Sequence, residues 1–178
     1  ILMVALKTPM AQADFVAPDF TLPGTDGAEH SLASVRGEKG LLVMFICNHC
    51  PYVQRQLKEI VSTAKALQDI GIGVAAISAN DADNYPEDSF ERMKDLAQQQ
   101  GFSFPYLYDE SQQVAKAYDA VCTPDFFGFD ADFRLRYRGR LSGERGAPEL
   151  LEAMQEIAEG KAPSKPQKPS IGCSIKWK

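Results

Sequence analysis

Apolar residues fall into two kinds of run along this chain. Leu41 to Ile46 follow one another without alternation, as expected of a strand buried on both faces. Just downstream, Val53, Leu57, Ile60, Val61, Ala64, Leu67 and Ile70 recur at spacings of three and four, which puts them on one helix face. Gly71-Ile72-Gly73 closes that helix, and Val74-Ala75-Ala76-Ile77-Ser78 reads as a second buried strand. Strand, helix and strand in this order predict parallel strands joined by a right-handed crossover.

The pattern continues with a polar stretch from Asn80 to Asp88, in which Pro86 stands near a helix start. Phe90, Met93, Leu96 and Ala97 mark a second amphipathic helix that stops near Gly101. A short strand is expected from Phe104 to Tyr108 and a short helix from Ser111 to Tyr118. Asp125 to Phe129 and Leu135 to Arg138 read as an antiparallel hairpin, because Asp130-Ala131-Asp132 between them is a short turn. Pro148 opens a last helix with Leu150, Leu151, Met154, Ile157 and Ala158 inward and Gly160 at its end. Upstream, Ala17 to Leu22 and the turn Gly24-Thr25-Asp26-Gly27 predict an N-terminal hairpin. The chain divides into a domain over 1–160 and a tail over 161–178. From Lys161 to Pro169 the tail holds three prolines and three lysines, so an extended course is expected. Its end, Ser170 to Trp177, turns apolar again and is expected to dock on the domain, with Trp177 as an anchor. The chain shows no internal repeat.

Composition narrows the class. At 178 residues, 44% hydrophobic and 24% charged, the chain fits one globular domain with a sizeable core. A net charge of −5 argues against nucleic-acid binding, which needs a basic face. No apolar stretch approaches the ~20 residues of a membrane span. Ile1 to Leu6 is apolar and Ala11-Gln12-Ala13 resembles a signal-peptidase site. Lys7 and Pro9 interrupt that stretch, no basic segment precedes it, and it is shorter than a normal signal core. A cytoplasmic protein is therefore expected, with Ile1-Leu2 read as an expression remnant ahead of a natural start at Met3.

The chemistry is concentrated in Cys47-Asn48-His49-Cys50, between the first buried strand and its helix. Two sulfurs at this spacing can form and break a disulfide with little backbone movement. The unpaired N–H groups and positive dipole end of a helix N-terminus favour a thiolate there, and a thiolate is the attacking species in thiol–disulfide exchange. Cys47, at the helix start and nearer solvent, is expected to be the nucleophile that forms the mixed disulfide, and Cys50, one turn in, the resolving thiol. His49 can favour the Cys47 thiolate by charge or hydrogen bonding, or point to solvent and do nothing.

Strand–helix–strand, then hairpin, then helix, with Cys-x-x-Cys after the first buried strand, resembles the thioredoxin fold. Thr123-Pro124 before the hairpin is the second marker. In thioredoxin-like proteins such a pair carries a cis proline beside the disulfide, and the residue before it pairs its backbone with an extended substrate. The opening Ala17-Pro18-Asp19-Phe20-Thr21-Leu22, Asp26-Gly27 and Ser31-Leu32 resembles peroxiredoxins and related thiol oxidoreductases, the alkyl hydroperoxide reductase and thiol-specific-antioxidant group. The likeness continues through Cys47 to Val53, Asn80-Asp81, Tyr85 to Ser89, Cys122 to Phe127 and the Gly172-Cys173 ending. It implies an α/β thioredoxin-like fold, a central mixed sheet flanked by helices with an N-terminal hairpin extension. The implied catalytic set is Cys47, Cys50, His49, Thr123 and Pro124. A His between two such cysteines also resembles strongly oxidising thioredoxin-fold oxidases, which implies a more oxidising pair than in a reducing thioredoxin.

The likeness to peroxiredoxins is incomplete. Their reactive cysteine corresponds to Cys50, Cys47 stands where Thr or Ser belongs, and Val43 stands where the loop proline belongs. The leading expectation is thus a thiol–disulfide oxidoreductase acting on protein or small-molecule disulfides, with a thioredoxin- or glutathione-type reductant, no cofactor, and no nucleic-acid or membrane partner. A thiol peroxidase with Cys50 as the peroxidatic residue is the second reading. A soft-metal or redox-sensing module using Cys47, His49 and Cys50 with Cys122 or Cys173 is the third, although no second close ligand pair is present.

Cys122, two residues before the expected cis proline, reads as either a residue near the site or a small buried side chain, and Cys173 as either a third redox partner or a packed small residue. Arg134, Arg136, Arg138 and Arg140 alternate, which predicts one solvated strand face. Glu87, Asp88 and Glu91 read as first-turn charges that complement a helix dipole, and His30 as exposed.

Overall fold

The computed structural model describes residues 4–178, so the readings of Ile1-Leu2 and Met3 lie outside the described residues. In chain order the elements are β1 (Ala5–Lys7), β2 (Thr21–Pro23), β3 (Glu29–Ser31), α1 (Leu32–Val35), β4 (Gly40–Phe45), α2 (Pro51–Asp69) and β5 (Ile72–Ser78). A single 3-10 turn, Pro86–Asp88, precedes α3 (Phe90–Gln100), and β6 (Tyr106–Tyr108), α4 (Gln113–Ala117), β7 (Cys122–Thr123) and β8 (Asp125–Asp130) follow. The chain ends with β9 (Leu135–Arg138), α5 (Glu149–Ala158) and β10 (Ile171–Ser174).

The central sheet is mixed. β4 pairs antiparallel with β8 from Gly40 opposite Asp130 to Phe45 opposite Asp125, and β8 pairs antiparallel with β9. β5 pairs parallel with β6. β5 lies beside β4, where the Ile46 N–H donates to the Ile77 carbonyl at 3.0 Å, giving the order β6-β5-β4-β8-β9. The N-terminal hairpin β2–β3 forms its own ladder and touches β6 through a bridge between Gly24 and Leu107. This is the expected thioredoxin-like arrangement with its hairpin extension. A further antiparallel ladder, β1-β10-β7, brings the C-terminal strand against the segment that precedes the β8–β9 hairpin.

The unbroken apolar run of β4 serves two cores. Leu42, Met44 and Ile46 face one cluster with α2, Met93 and Met154, while Leu41, Val43 and Phe45 face the other with Phe20, Tyr118 and Phe127. Helix α2 turns Val53, Leu57, Ile60, Ala64 and Leu67 inward, as the spacing predicts. Each large side chain buried there contributes on the order of 1.5–3 kcal/mol. Pro51 occupies the first turn of α2, where its missing N–H has no helical partner to lose. Ser89 caps α3 by accepting the Arg92 N–H at 3.2 Å, and Gly101, at φ +63°, ends it in the left-handed conformation glycine adopts without strain. Among the described residues no helix is long and apolar enough to cross a membrane.

Two surface expectations are corrected. A bulge between Gly128 and Phe129 breaks the simple alternation of the hairpin, and Arg138 turns inward. It is buried, pairs with the wholly buried Asp125 at 2.8 Å and lies 4.4 Å from the Phe127 ring centroid. Arg140 likewise leaves the solvated face for a two-pronged pair with Glu149, both contacts at 2.8 Å. His30 is partly covered, its Nε2 2.8 Å from Asp26.

Candidate active site

The loop from β4 to α2 carries Cys47, Asn48, His49 and Cys50, and β7 with the cis Thr123–Pro124 bond faces it. Cys47 Sγ lies 3.4 Å from Thr123 Oγ1, and Cys50 Sγ lies 3.2 Å from the Thr123 carbonyl oxygen. One residue thus touches both sulfurs. The structure brings together Cys47, Cys50, His49, Thr123 and Pro124, and adds two residues to them, Asp88 and Cys173.

The placement expected of the two cysteines needs correction. The helix begins at Pro51, so the residue at its N-cap is Cys50, not Cys47. Neither is nearer solvent: Cys47 is 1% exposed and Cys50 0%. The Cys50 thiol is pulled down from 9.0 to about 4, first because the Cys47 S–H donates to it, against the cost of burial. Cys173, Thr123 and the Val53 N–H in the first turn of α2 add to that stabilisation. Cys47 is pushed well above 9.0 because its proton is held by the Cys50 sulfur, because it is buried, and because Asp88 is negative. The proton shared by the two sulfurs is thus drawn toward Cys47, which leaves the lowered pKa on Cys50.

Asp88 was read from the sequence as a helix-dipole charge, and it is instead the polar hub of the site. Its carboxylate is fully buried and accepts the Asn48 N–H at 2.8 Å, the His49 N–H at 3.3 Å and the Asn80 side-chain N–H at 2.9 Å. His49 Nδ1 lies 2.6 Å from Asp88 Oδ2, and this contact, opposed by burial, raises the His49 pKa above 6.5. His49 thus turns its ring toward Asp88 and stacks on Tyr85, rings 6.0 Å apart. The sequence did hold a signal. Ser89 is the natural cap residue, so Asp88 before it falls outside the first helical turn, where only Glu91 sits.

Cys173 arrives on β10, with its Sγ 2.9 Å from Cys50 Sγ. Burial, then the neighbouring Cys50 sulfur, pushes the Cys173 pKa up to about 11. Cys122, also buried, points the other way, 3.7 Å from the Pro124 carbonyl, and burial raises its pKa. Ligand atoms of Cys47, His49 and Asp88 lie within 4.8 Å of one another, a set that a divalent ion could bridge. Cys50, Cys122 and Cys173 take no part in that set and Asp88 joins it, so the expected metal group is altered. A shallow surface recess of about 550 Å³ opens beside Asn48 and His49, bordered by Pro86, Glu87 and Arg92.

The family model described as "AhpC/TSA family" matches residues 14–138. The thiol-disulfide oxidoreductase ResA of Geobacillus thermodenitrificans is 28% identical over 130 residues, covering 73% of this chain and 70% of that protein. An uncharacterized conserved protein of Geobacillus kaustophilus, known from its crystal structure, is 45% identical with a TM-score of 0.94, covering 100% of this chain and 98% of the other. A Mycobacterium tuberculosis peroxidoxin, 17% identical with a TM-score of 0.61, covers 84% of this chain and 95% of its own, and shares the fold.

Proposed function

The chain belongs to the AhpC/TSA family, and from that premise we propose that it is a thiol–disulfide oxidoreductase working through Cys47 and Cys50. The observation that carries this reading is the pair of sulfurs held against a single residue, Thr123, before a cis proline. The similarity to the ResA oxidoreductase supports it.

In the reaction the Cys50 thiolate attacks one sulfur of a substrate disulfide and expels the other as a thiolate. Cys47 then loses its proton and attacks Cys50 Sγ, which releases the second substrate thiol and leaves a Cys47–Cys50 disulfide. The substrate is reduced by two electrons and the cysteine pair is oxidised by two. A thioredoxin- or glutathione-type thiol returns the pair to the dithiol. His49 and Asp88, beside Cys47, are the positioning residues for its proton. Substrates are disulfides of proteins or small molecules, and a cytoplasmic setting, where such reductants are present, completes the reading.

A second reading, a thiol peroxidase with Cys50 as peroxidatic residue, is supported by the AhpC/TSA family match and by the lowered Cys50 pKa. Arg138 does not serve it, since its guanidinium is engaged by Asp125 and the Asp119 carbonyl. One experiment separates the two. Reduced protein is mixed with oxidised glutathione or with hydrogen peroxide, quenched by alkylation and mapped by mass spectrometry. Fast Cys47–Cys50 closure with glutathione and slow closure with peroxide is the expected result. Fast peroxide consumption with a sulfenate trapped at Cys50 would make the protein a peroxidase.

A further inference from the structure

The C-terminal strand occupies the backbone edge on which an extended substrate would pair, and it delivers a sulfur there. In the β7–β10 ladder Cys173 stands opposite Thr123 and Ser174 opposite Cys122. Thr123 is the residue before the cis proline, and Cys173 Sγ sits 2.9 Å from Cys50 Sγ. The approach depends on Gly172, because a Cβ there would come within 2.1 Å of the Thr123 carbonyl oxygen and 3.0 Å of Pro124 N.

Both flanks of the strand are tied to the site. Ser170 Oγ donates to the Pro124 carbonyl at 2.9 Å on one side. On the other, the Lys176 N–H donates at 2.9 Å to Asn80 Oδ1, and the amide of the same Asn80 donates to Asp88. The Lys176 carbonyl accepts from Gln112 Nε2 at 2.9 Å and from the Asp81 N–H at 2.8 Å. A tail that only covered apolar surface would not need a sulfur in contact with the reactive thiol, nor hydrogen bonds to both elements that frame it.

We propose that β10 is a built-in substrate strand and that Cys173 is a third catalytic thiol, which takes over Cys50 in an intramolecular Cys50–Cys173 disulfide. This rests on the thiol–disulfide reading above. Once substrate has oxidised the pair, the Cys173 thiolate attacks Cys50 Sγ. The Cys50–Cys173 bond forms, the Cys47–Cys50 bond breaks, and Cys47 leaves as a thiolate that takes up the proton Cys173 gave up. No electrons are gained or lost in that step. The same attack on a mixed disulfide at Cys50 expels the second substrate thiol. Order in time follows from the surroundings of Cys173: burial first, and then the neighbouring Cys50 sulfur, keeps it protonated, and bridging Cys50 to another sulfur removes the second of these. While the new bridge lasts, Cys47 is returned to the thiol form and β10, already paired with Thr123 when the thiols are free, is held there covalently.

The test uses Cys47→Ser and the double variant Cys47→Ser/Cys173→Ser, each reduced, mixed with oxidised glutathione, alkylated at timed intervals and mapped by mass spectrometry. In Cys47→Ser the glutathione adduct at Cys50 is expected to give way to a Cys50–Cys173 bridge. In the double variant the adduct should persist at least about tenfold longer, because an intramolecular thiol acts at high effective concentration. The wild type supplies a control that no variant can spoil: fully oxidised protein should contain both the Cys47–Cys50 and the Cys50–Cys173 isomers. Equal adduct lifetimes in the two variants, a bridge to Cys122 instead, or a wild type holding only Cys47–Cys50 would overturn the proposal and leave the exchange function standing. A wild type that forms no bridge with glutathione would overturn both.

Discussion

Asp88 Oδ2 and His49 Nδ1 are 2.6 Å apart, with the carboxylate wholly buried and the imidazole one-fifth exposed at the surface recess. This contact raises the His49 pKa above 6.5, so its stabilising contribution is complete below that value and is lost as pH rises through the folded-state pKa. Asp88→Asn is expected to bring the His49 titration, followed by NMR of the ring protons, back toward its ordinary range. It should also lower the Cys47 pKa, since the Asp88 charge is one of the causes that raise it. An unchanged Cys47 pKa would mean that Asp88 only holds the loop in shape.

The three clustered thiols set a pH profile for the reduced protein. Cys50 is depressed from 9.0 to about 4, so the unfolded chain binds more protons than the folded one between those values. The stability contributed by this group is complete above pH 9 and declines as pH falls toward 4. Cys47 and Cys173 are raised instead, so their contribution is complete below pH 9 and is lost as pH rises beyond it. Urea denaturation under reducing conditions should show the gap between wild type and Cys50→Ala narrowing from pH 8 to pH 5. A gap that is flat in pH would place the resting thiolate elsewhere.

Arg138 and Asp125 form a buried pair directly after the cis proline. Arg138→Met removes the cation and leaves the carboxylate without its charge partner, which costs about 3–5 kcal/mol. The expected result is a large drop in the denaturation midpoint, much of it recovered in Arg138→Met/Asp125→Leu, where no charge remains buried. Equal losses in both would show that the packing of Arg138 on Phe127 matters more than its charge.

Gly172→Ala places a methyl group against the Thr123 carbonyl and should lift β10 from β7. Iodoacetamide is then expected to label Cys50 faster than in wild type, because the strand over it has been displaced. Circular dichroism distinguishes this from global unfolding. Labelling at the wild-type rate in a folded variant would mean that β10 does not limit access.

The Cys47, His49 and Asp88 ligand atoms invite a metal titration. Protein purified without chelator is expected to carry less than stoichiometric zinc and copper by elemental analysis. Stoichiometric metal that is released on cysteine oxidation would replace the exchange reading with a metal site.

Local sequence determined the longer elements of this protein, while the short β1, α1, β7 and β10 carry too few residues to show a period. The unbroken run of β4, the three-and-four spacing of α2, and the turn between β8 and β9 each reflect a periodicity that the backbone imposes on neighbouring residues. The Cys47–Cys50 pair and Thr123-Pro124 were legible for the same reason, since residue type and local position carry their chemistry. Tertiary structure alone decided the rest. Asp88 lies 40 positions from Asn48 yet accepts its N–H, Cys173 lies 123 positions from Cys50 yet touches its sulfur, and Arg138 is drawn inward by Asp125 across a bulged hairpin. A buried charge or thiol takes its pKa from whatever neighbours the fold packs against it, and those neighbours come from segments whose distance along the chain says nothing of their distance in space. That is why the Cys-x-x-Cys motif can be read from the sequence, while the third sulfur beside Cys50 is visible only in the folded chain.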